Sequence, residues 1–154
     1  MAWYKKDGSF RLIHHLSYPQ GSSVNDFIDQ SFSSVKYTSF DEALEMLASL
    51  GQGTLVSRLD IESAFRLLTV HTSDFSLLGY KVQGIFFIDK YLPFGCSVSC
   101  SKFEKFSTFL EWALKEKSQS TNVVHYLDDF LLAGRSGTQE CSLLMADFLE
   151  ICSD

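Results

Sequence analysis

Three aspartates carry the chemistry this sequence offers. Asp128 and Asp129 are consecutive and sit between apolar runs in Val123-Val124-His125-Tyr126-Leu127-Asp128-Asp129-Phe130-Leu131-Leu132, and Asp60 ends an alternating stretch that begins at Thr54. Neighbouring side chains of one extended strand point to opposite faces, so a consecutive acid pair addresses one site only where the chain turns. Asp tolerates turns well, and the pattern predicts a β-hairpin with both acids at its tip. Taken alone, the pair reads equally well as the cap of a solvated turn. If the strand ending at Asp60 neighbours that hairpin, three carboxylates converge, and anions so close repel unless a cation joins them. Oxygen-only ligands suit Mg²⁺ or Mn²⁺. Two such ions, about 3.5–4 Å apart, stabilise the attacking and leaving oxygens of an in-line phosphoryl transfer.

A second group of charges could serve that chemistry. Lys5, Lys6 and Arg11 flank Asp7-Gly8, a hairpin turn signal between two short strands within Trp3 to Ile13. One reading is a clamp for a triphosphate, the natural partner of Arg and Lys. The other is a charged edge that protects an exposed ribbon from aggregation.

The elements that must position these groups follow from periodicity and caps. Residues 14–35 read as a long loop with a short helical turn near 24–28, and His14-His15 as a surface or packed pair rather than a metal site. Ser39-Phe40-Asp41-Glu42 is a capping box that opens a core helix, stopped by Gly51. Leu55, Ser57 and Leu59 alternate with Val56, Arg58 and Asp60 in a strand, and 66–70 reads as a further strand or extended exit. Strands at 76–82 and 85–92 flank Gln83-Gly84. A helix over about 97–115 follows Leu92-Pro93-Phe94-Gly95, its Phe103, Phe106 and Leu110 marking a core stripe, and a last helix follows Gly137. The order predicts an α+β fold: an antiparallel sheet with helices packed on one face.

Composition sets limits. A chain of 154 residues with 45% apolar content and 14 Phe is long enough for one domain with a sizeable core. The net charge of −6 argues against a general electrostatic footprint for nucleic acid, which is normally basic. No apolar run reaches the length of a membrane span and the N-terminus does not read as a signal peptide, so an intracellular, cytoplasmic or nuclear, protein without membrane contact is expected. Cys96, Cys100, Cys141 and Cys152 lack zinc-type spacing and predict buried, reduced thiols.

Leu59-Asp60-Ile61-Glu62-Ser63-Ala64-Phe65-Arg66, Leu92-Pro93-Phe94-Gly95 and Tyr126-Leu127-Asp128-Asp129 occur in the order and approximate spacing of reverse transcriptases. Lys5-Lys6-Asp7-Gly8-Ser9-Phe10-Arg11 resembles the fingers hairpin of the same enzymes. The Asp-x-x-Ser-Ala-Phe-Arg pattern is similar to that of retrotransposons of the tyrosine-recombinase (DIRS-like) group. The resemblance implies a polymerase palm-like sheet with a small fingers region, placed at 1–53 and roughly 71–95 with the remainder palm-like. It implies RNA-directed DNA synthesis from dNTPs on an RNA or DNA template-primer with Mg²⁺ or Mn²⁺. Asp60 and Asp128 would hold the metals, with the Ile61 carbonyl as a further ligand and Asp129 as the supporting acid. Lys5 or Lys6 with Arg11 would grip the triphosphate, and Phe65 would stack under the sugar and exclude a 2′-hydroxyl. Plain core packing is the alternative for Phe65. Phe94 and Gly95 would line the nucleotide pocket, and Tyr126 would lie near the primer end.

Phe94 stands where retroviral enzymes carry Gln, Cys100 where the family usually has Pro, and Ser99 where it has Ala. The chain ends at Asp154, before any primer grip, thumb or RNase H, which is expected of a fingers and palm portion of a retroelement polyprotein. Two rivals remain: a catalytically inactive fragment that binds nucleic acid or protein, and another metal-dependent enzyme on a similar palm, such as a cyclase. The Leu92-Pro93-Phe94-Gly95 segment and the Lys-Lys-Asp-Gly hairpin disfavour the cyclase.

Overall fold

A computed structural model describes residues 2–4, 8 and 10–153. The chain divides into two compact units, residues 1–34 with 63–103, and residues 35–62 with 104–154. The expected mixture of helices and antiparallel sheet is present in them.

The second unit is built on a three-stranded antiparallel sheet. Its strands are β3 (Leu55–Asp60), β6 (Val123–Tyr126) and β7 (Asp129–Gly134), in the order β3-β7-β6. Alternation sends Val123, His125, Phe130 and Leu132 to one face, where they meet Leu110 and Leu114 of α2 (Ser99–Ser118) and Leu144 and Phe148 of α3 (Glu140–Ile151). Phe130, Leu132, Val123 and Leu114 are fully buried there, each large apolar side chain contributing about 1.5–3 kcal/mol. The opposite face of the sheet carries Arg58, Asp60, Tyr126 and Asp129.

Helix α1 (Phe40–Leu50) begins at the predicted box: Glu42 N–H donates to Ser39 Oγ at 3.1 Å, and Ser39 N–H to Glu42 Oε2 at 2.8 Å. Gly51 ends it at φ 88°. The core-helix expectation fails, however. None of its residues is buried, and Phe40 and Leu44 remain exposed, because the sheet's packed core lies with α2 and α3.

The first unit holds two hairpins. β1 (Ala2–Tyr4) pairs with β2 (Phe10–Leu12), and β4 (Gly79–Val82) pairs with β5 (Ile85–Ile88) around Gln83-Gly84. The expected extended stretch at 66–70 is corrected. Ser63, at φ 55°, opens a 3₁₀ turn over Ala64–Leu67, and the chain extends only from Leu68, with Thr69 bridging Tyr91. The strand expected from residue 76 likewise starts at Gly79, after a 3₁₀ segment over Thr72–Leu78. The cysteines are free, but only Cys141 is buried, and Cys152 is exposed. Among the described residues no helix is long and apolar enough to cross a membrane.

Candidate active site

The hairpin of β6 and β7 turns through Leu127 and Asp128, with Tyr126 paired to Asp129. Leu127 takes the left-handed region at φ 51°, which a two-residue hairpin loop favours and a side chain resists. Such a conformation costs about 1–3 kcal/mol and persists only where the surroundings hold it. Asp128 therefore occupies the tip. Asp129, expected beside it at the tip, is instead the first residue of β7.

The same register delivers Asp60. β3 and β7 are neighbours, and Asp60 lies directly opposite Asp129. Directly opposed residues of an antiparallel pair share a face, with Cβ atoms about 4.5–5.5 Å apart. Ile61 N–H donates to the Asp128 carbonyl at 3.0 Å, tying the end of β3 to the hairpin tip. The sheet thus brings Asp60, Asp128 and Asp129 to one end of neighbouring strands. Ile61 itself packs partly against the core cluster.

Arg58 was missed as a site residue. Its Nε and Nη2 both donate to Asp129 Oδ1, at 2.9 and 2.5 Å. Its guanidinium is held further toward the charged form first by the Asp129 hydrogen bond, then by the charge of Asp129, with smaller contributions from Asp60 and Asp128. All three carboxylates therefore act on one exposed cation. The signal was present in the alternation, since residues two apart on a strand share a face.

The donor set suits a hard divalent cation: it is all oxygen, it is anionic, and it is partly open to solvent. Among the described residues no group of three His, Cys, Asp or Glu side chains is close enough to hold a metal by itself. Mg²⁺ does not require a complete protein cage, because it is bound through one or two carboxylates plus substrate phosphates and water. Asp60 and Asp128 could supply such carboxylates, and Asp129 is bonded to Arg58.

Tyr126 packs against Tyr37 with ring centroids 4.7 Å apart. Beside them a cavity of about 310 Å³ is lined by Phe40, Ala43, Arg58, Val124, Tyr126 and Asp129, among others.

The remaining candidates lie in the first unit. Phe65 stands in the 3₁₀ turn with its ring 4.8 Å from Phe94 and 5.4 Å from Phe103, so two residues expected at the nucleotide are packed together. Gly95 has φ 105°, and a Cβ there would fall 2.0 Å from the His14 carbonyl oxygen, so only glycine fits. That close approach is sealed by His14 N–H donating to the Phe94 carbonyl at 2.9 Å. Lys5 and Lys6 lie outside the described residues; Arg11 pairs with Trp3 in the β1–β2 hairpin, and its side chain lies outside them too.

A model of the family "Reverse transcriptase (RNA-dependent DNA polymerase)" matches residues 4–154. Transposon Tf2-3 polyprotein of Schizosaccharomyces pombe is 27% identical over 95 residues, covering 62% of this chain and 7% of its own length. Transposon Tf2-7 polyprotein of the same organism is 26% identical over the same extent. This chain thus spans only a small part of the curated relatives it matches. Among solved structures, a Prototype Foamy Virus protease-reverse transcriptase aligns with 99% of this chain and 18% of its own at TM-score 0.68 and 20% identity. A foamy viral protease-reverse transcriptase in complex with double-stranded DNA aligns at TM-score 0.70 and 16% identity, again over 99% of this chain and 24% of its own. At these identities the likeness shows a shared fold.

Proposed function

Because the chain belongs to the reverse transcriptase (RNA-dependent DNA polymerase) family, we propose that it is the fingers and palm portion of a retroelement polymerase that extends a primer 3′-hydroxyl with dNTPs. The observation that carries this reading is the register that sets Asp60 opposite Asp129 and ties Ile61 to Asp128. Asp60 and Asp128 would hold Mg²⁺ or Mn²⁺, with the Ile61 carbonyl as a further ligand, and Asp129 supports the pair while bonded to Arg58. When bound, such cations stabilise charge on the attacking and leaving oxygens.

The chain's own residues orient the reactants. Tyr126, half exposed and backed by Tyr37, borders the primer end. The Phe65–Phe94 stack forms the surface under the incoming sugar, and Phe65 there excludes a 2′-hydroxyl. Lys5, Lys6 and Arg11 neutralise the triphosphate, and Gly95 allows the backbone approach that fixes Phe94. On this reading residues 1–53 and roughly 71–95 are fingers-like and the remainder is palm-like. The template is RNA or DNA, and the Asp60 to Arg66 pattern supports a tyrosine-recombinase retrotransposon as the parent element.

The test is Mg²⁺-dependent primer extension by an active polypeptide carrying this chain. Asp60→Ala and Asp128→Ala are each expected to reduce extension at least about a thousandfold, in line with loss of charge stabilisation in the transition state. Undiminished extension by either variant rejects the assignment. Phe65→Ala is expected to raise ribonucleotide use relative to deoxyribonucleotide, and an unchanged preference rejects the gate.

A further inference from the structure

The strained turn at Leu127 needs an explanation, because a left-handed leucine persists only if neighbours hold it. One such neighbour is a buried acid on α2. Leu127 N–H donates to Glu104 Oε2 at 3.2 Å, and Glu104 is only 7% exposed. A carboxylate so deep needs compensation. His125, 6% exposed, supplies it: its Nε2 lies 3.2 Å from Glu104 Oε1, within ion-pair reach though out of line for a hydrogen bond. The ring is clamped from its other side, where Nδ1 meets Glu111 Oε2, and it stacks on Phe130 at 5.4 Å. Glu111 in turn accepts from Lys115 Nζ at 2.5 Å. Burial alone would raise the Glu111 carboxyl, but the His125 and Lys115 contacts outweigh it and hold the group below its ordinary value.

The chain Lys115–Glu111–His125–Glu104 thus runs unbroken from the helix surface to the hairpin turn. A buried charged network of this kind is an expensive way to build a core, and an apolar replacement is often as stable or more so. What it achieves here is the placement of one carboxylate oxygen on the backbone of the residue just before Asp128. We propose that Glu104 is a positioning residue for the carboxylate hairpin: held by His125, it fixes the Leu127 N–H and with it the turn that presents Asp128. The proposal rests on the reading of Asp128 as a cation-holding group.

Exchange and chemical shift of the Leu127 amide test it in the 154-residue chain, together with Mn²⁺ binding followed by paramagnetic resonance. Glu104→Met removes the acceptor. Leu127 exchange is expected to quicken and Mn²⁺ binding to weaken about tenfold, the lower end of the effect of losing an outer-shell partner. The Phe130 and Leu132 amides in the same sheet keep their wild-type exchange, which a merely structural role for Glu104 would not allow. Glu104→Gln keeps an acceptor oxygen but loses its charge, so Mn²⁺ binding recovers to within about threefold and the Leu127 proton moves upfield, toward a weaker acceptor. A Leu127 amide that stays where it is in Glu104→Gln overturns the proposal, even if Glu104→Met does not fold. An Asp128→Asn variant with undiminished Mn²⁺ binding would instead reject the site reading, while the Leu127 amide still reports on Glu104.

Discussion

Each unit of this chain contains an aspartate bound by an arginine, and the two pairs are opposites. In the first unit Asp89 is 3% exposed and collects three partners: Arg66 Nη1 at 2.7 Å, His14 Nε2 at 3.0 Å and Tyr91 N–H at 3.1 Å. In the second unit the Asp129 side chain is about two-fifths exposed, it is bonded by Arg58, and it stands opposite a second carboxylate. Asp89 joins the segments around residues 14, 66 and 89, so its charge is saturated by the protein. Asp129 stands beside other carboxylates, and the guanidinium bonded to it is itself exposed. Burial and the partners found among the described residues thus separate a carboxylate that holds the fold from one that, on the proposed function, is open to an incoming cation.

The comparison breaks most easily on stability. Asp89→Ala strands Arg66 and His14, and removing one partner of a buried pair costs about 3–5 kcal/mol. Urea unfolding checks this. Asp129→Ala, at an exposed pair, is expected to move the midpoint little. Equal losses from the two variants would erase the distinction.

A smaller effect concerns acid. Burial opposes ionisation of Asp89, but the Arg66 hydrogen bond, the Tyr91 N–H and the charges of Arg66 and His14 outweigh it and hold the carboxyl below its ordinary value. A carboxyl lowered in the folded state contributes stability above its unfolded pKa, about 3.9, and loses it as pH falls from there through the folded value. Unfolding free energy measured from pH 5 downward should therefore fall less steeply in Asp89→Ala than in the wild type. An unchanged slope would place the acid sensitivity in Glu111 and Glu140, which are also lowered.

The smallest effect sharpens the other side. Arg58→Met removes the cation that competes for the carboxylates, so Mn²⁺ binding should tighten about fivefold at low salt and less at high salt, as expected for exposed charges a few ångströms apart. Weaker binding in that variant would make Arg58 a support of the site rather than a competitor.

Much of this was legible in local patterns. The capping box at Ser39, the Gly51 stop and the hairpin around Leu127-Asp128 are set by residues within four positions of one another, and alternation in β3 placed Arg58 and Asp60 on one face. The exposure of α1 was not legible, because its apolar stripe looks the same whether or not an element covers it. Nor was the 3₁₀ turn at Ala64–Leu67, which depends on a left-handed Ser63 that no glycine or Asx residue marks. The buried networks of Asp89 and His125 were invisible for another reason. Their members are far apart in sequence, and a histidine in an apolar strand reads as packing until the glutamates of a neighbouring helix are seen against it.

The most direct test is Mn²⁺ binding by the chain and its single variants. Asp60→Asn and Asp128→Asn should each weaken binding at least about tenfold, the loss of about 1.4 kcal/mol that one ligand more than accounts for. Wild-type affinity in Asp128→Asn, with the fold intact, would contradict the account.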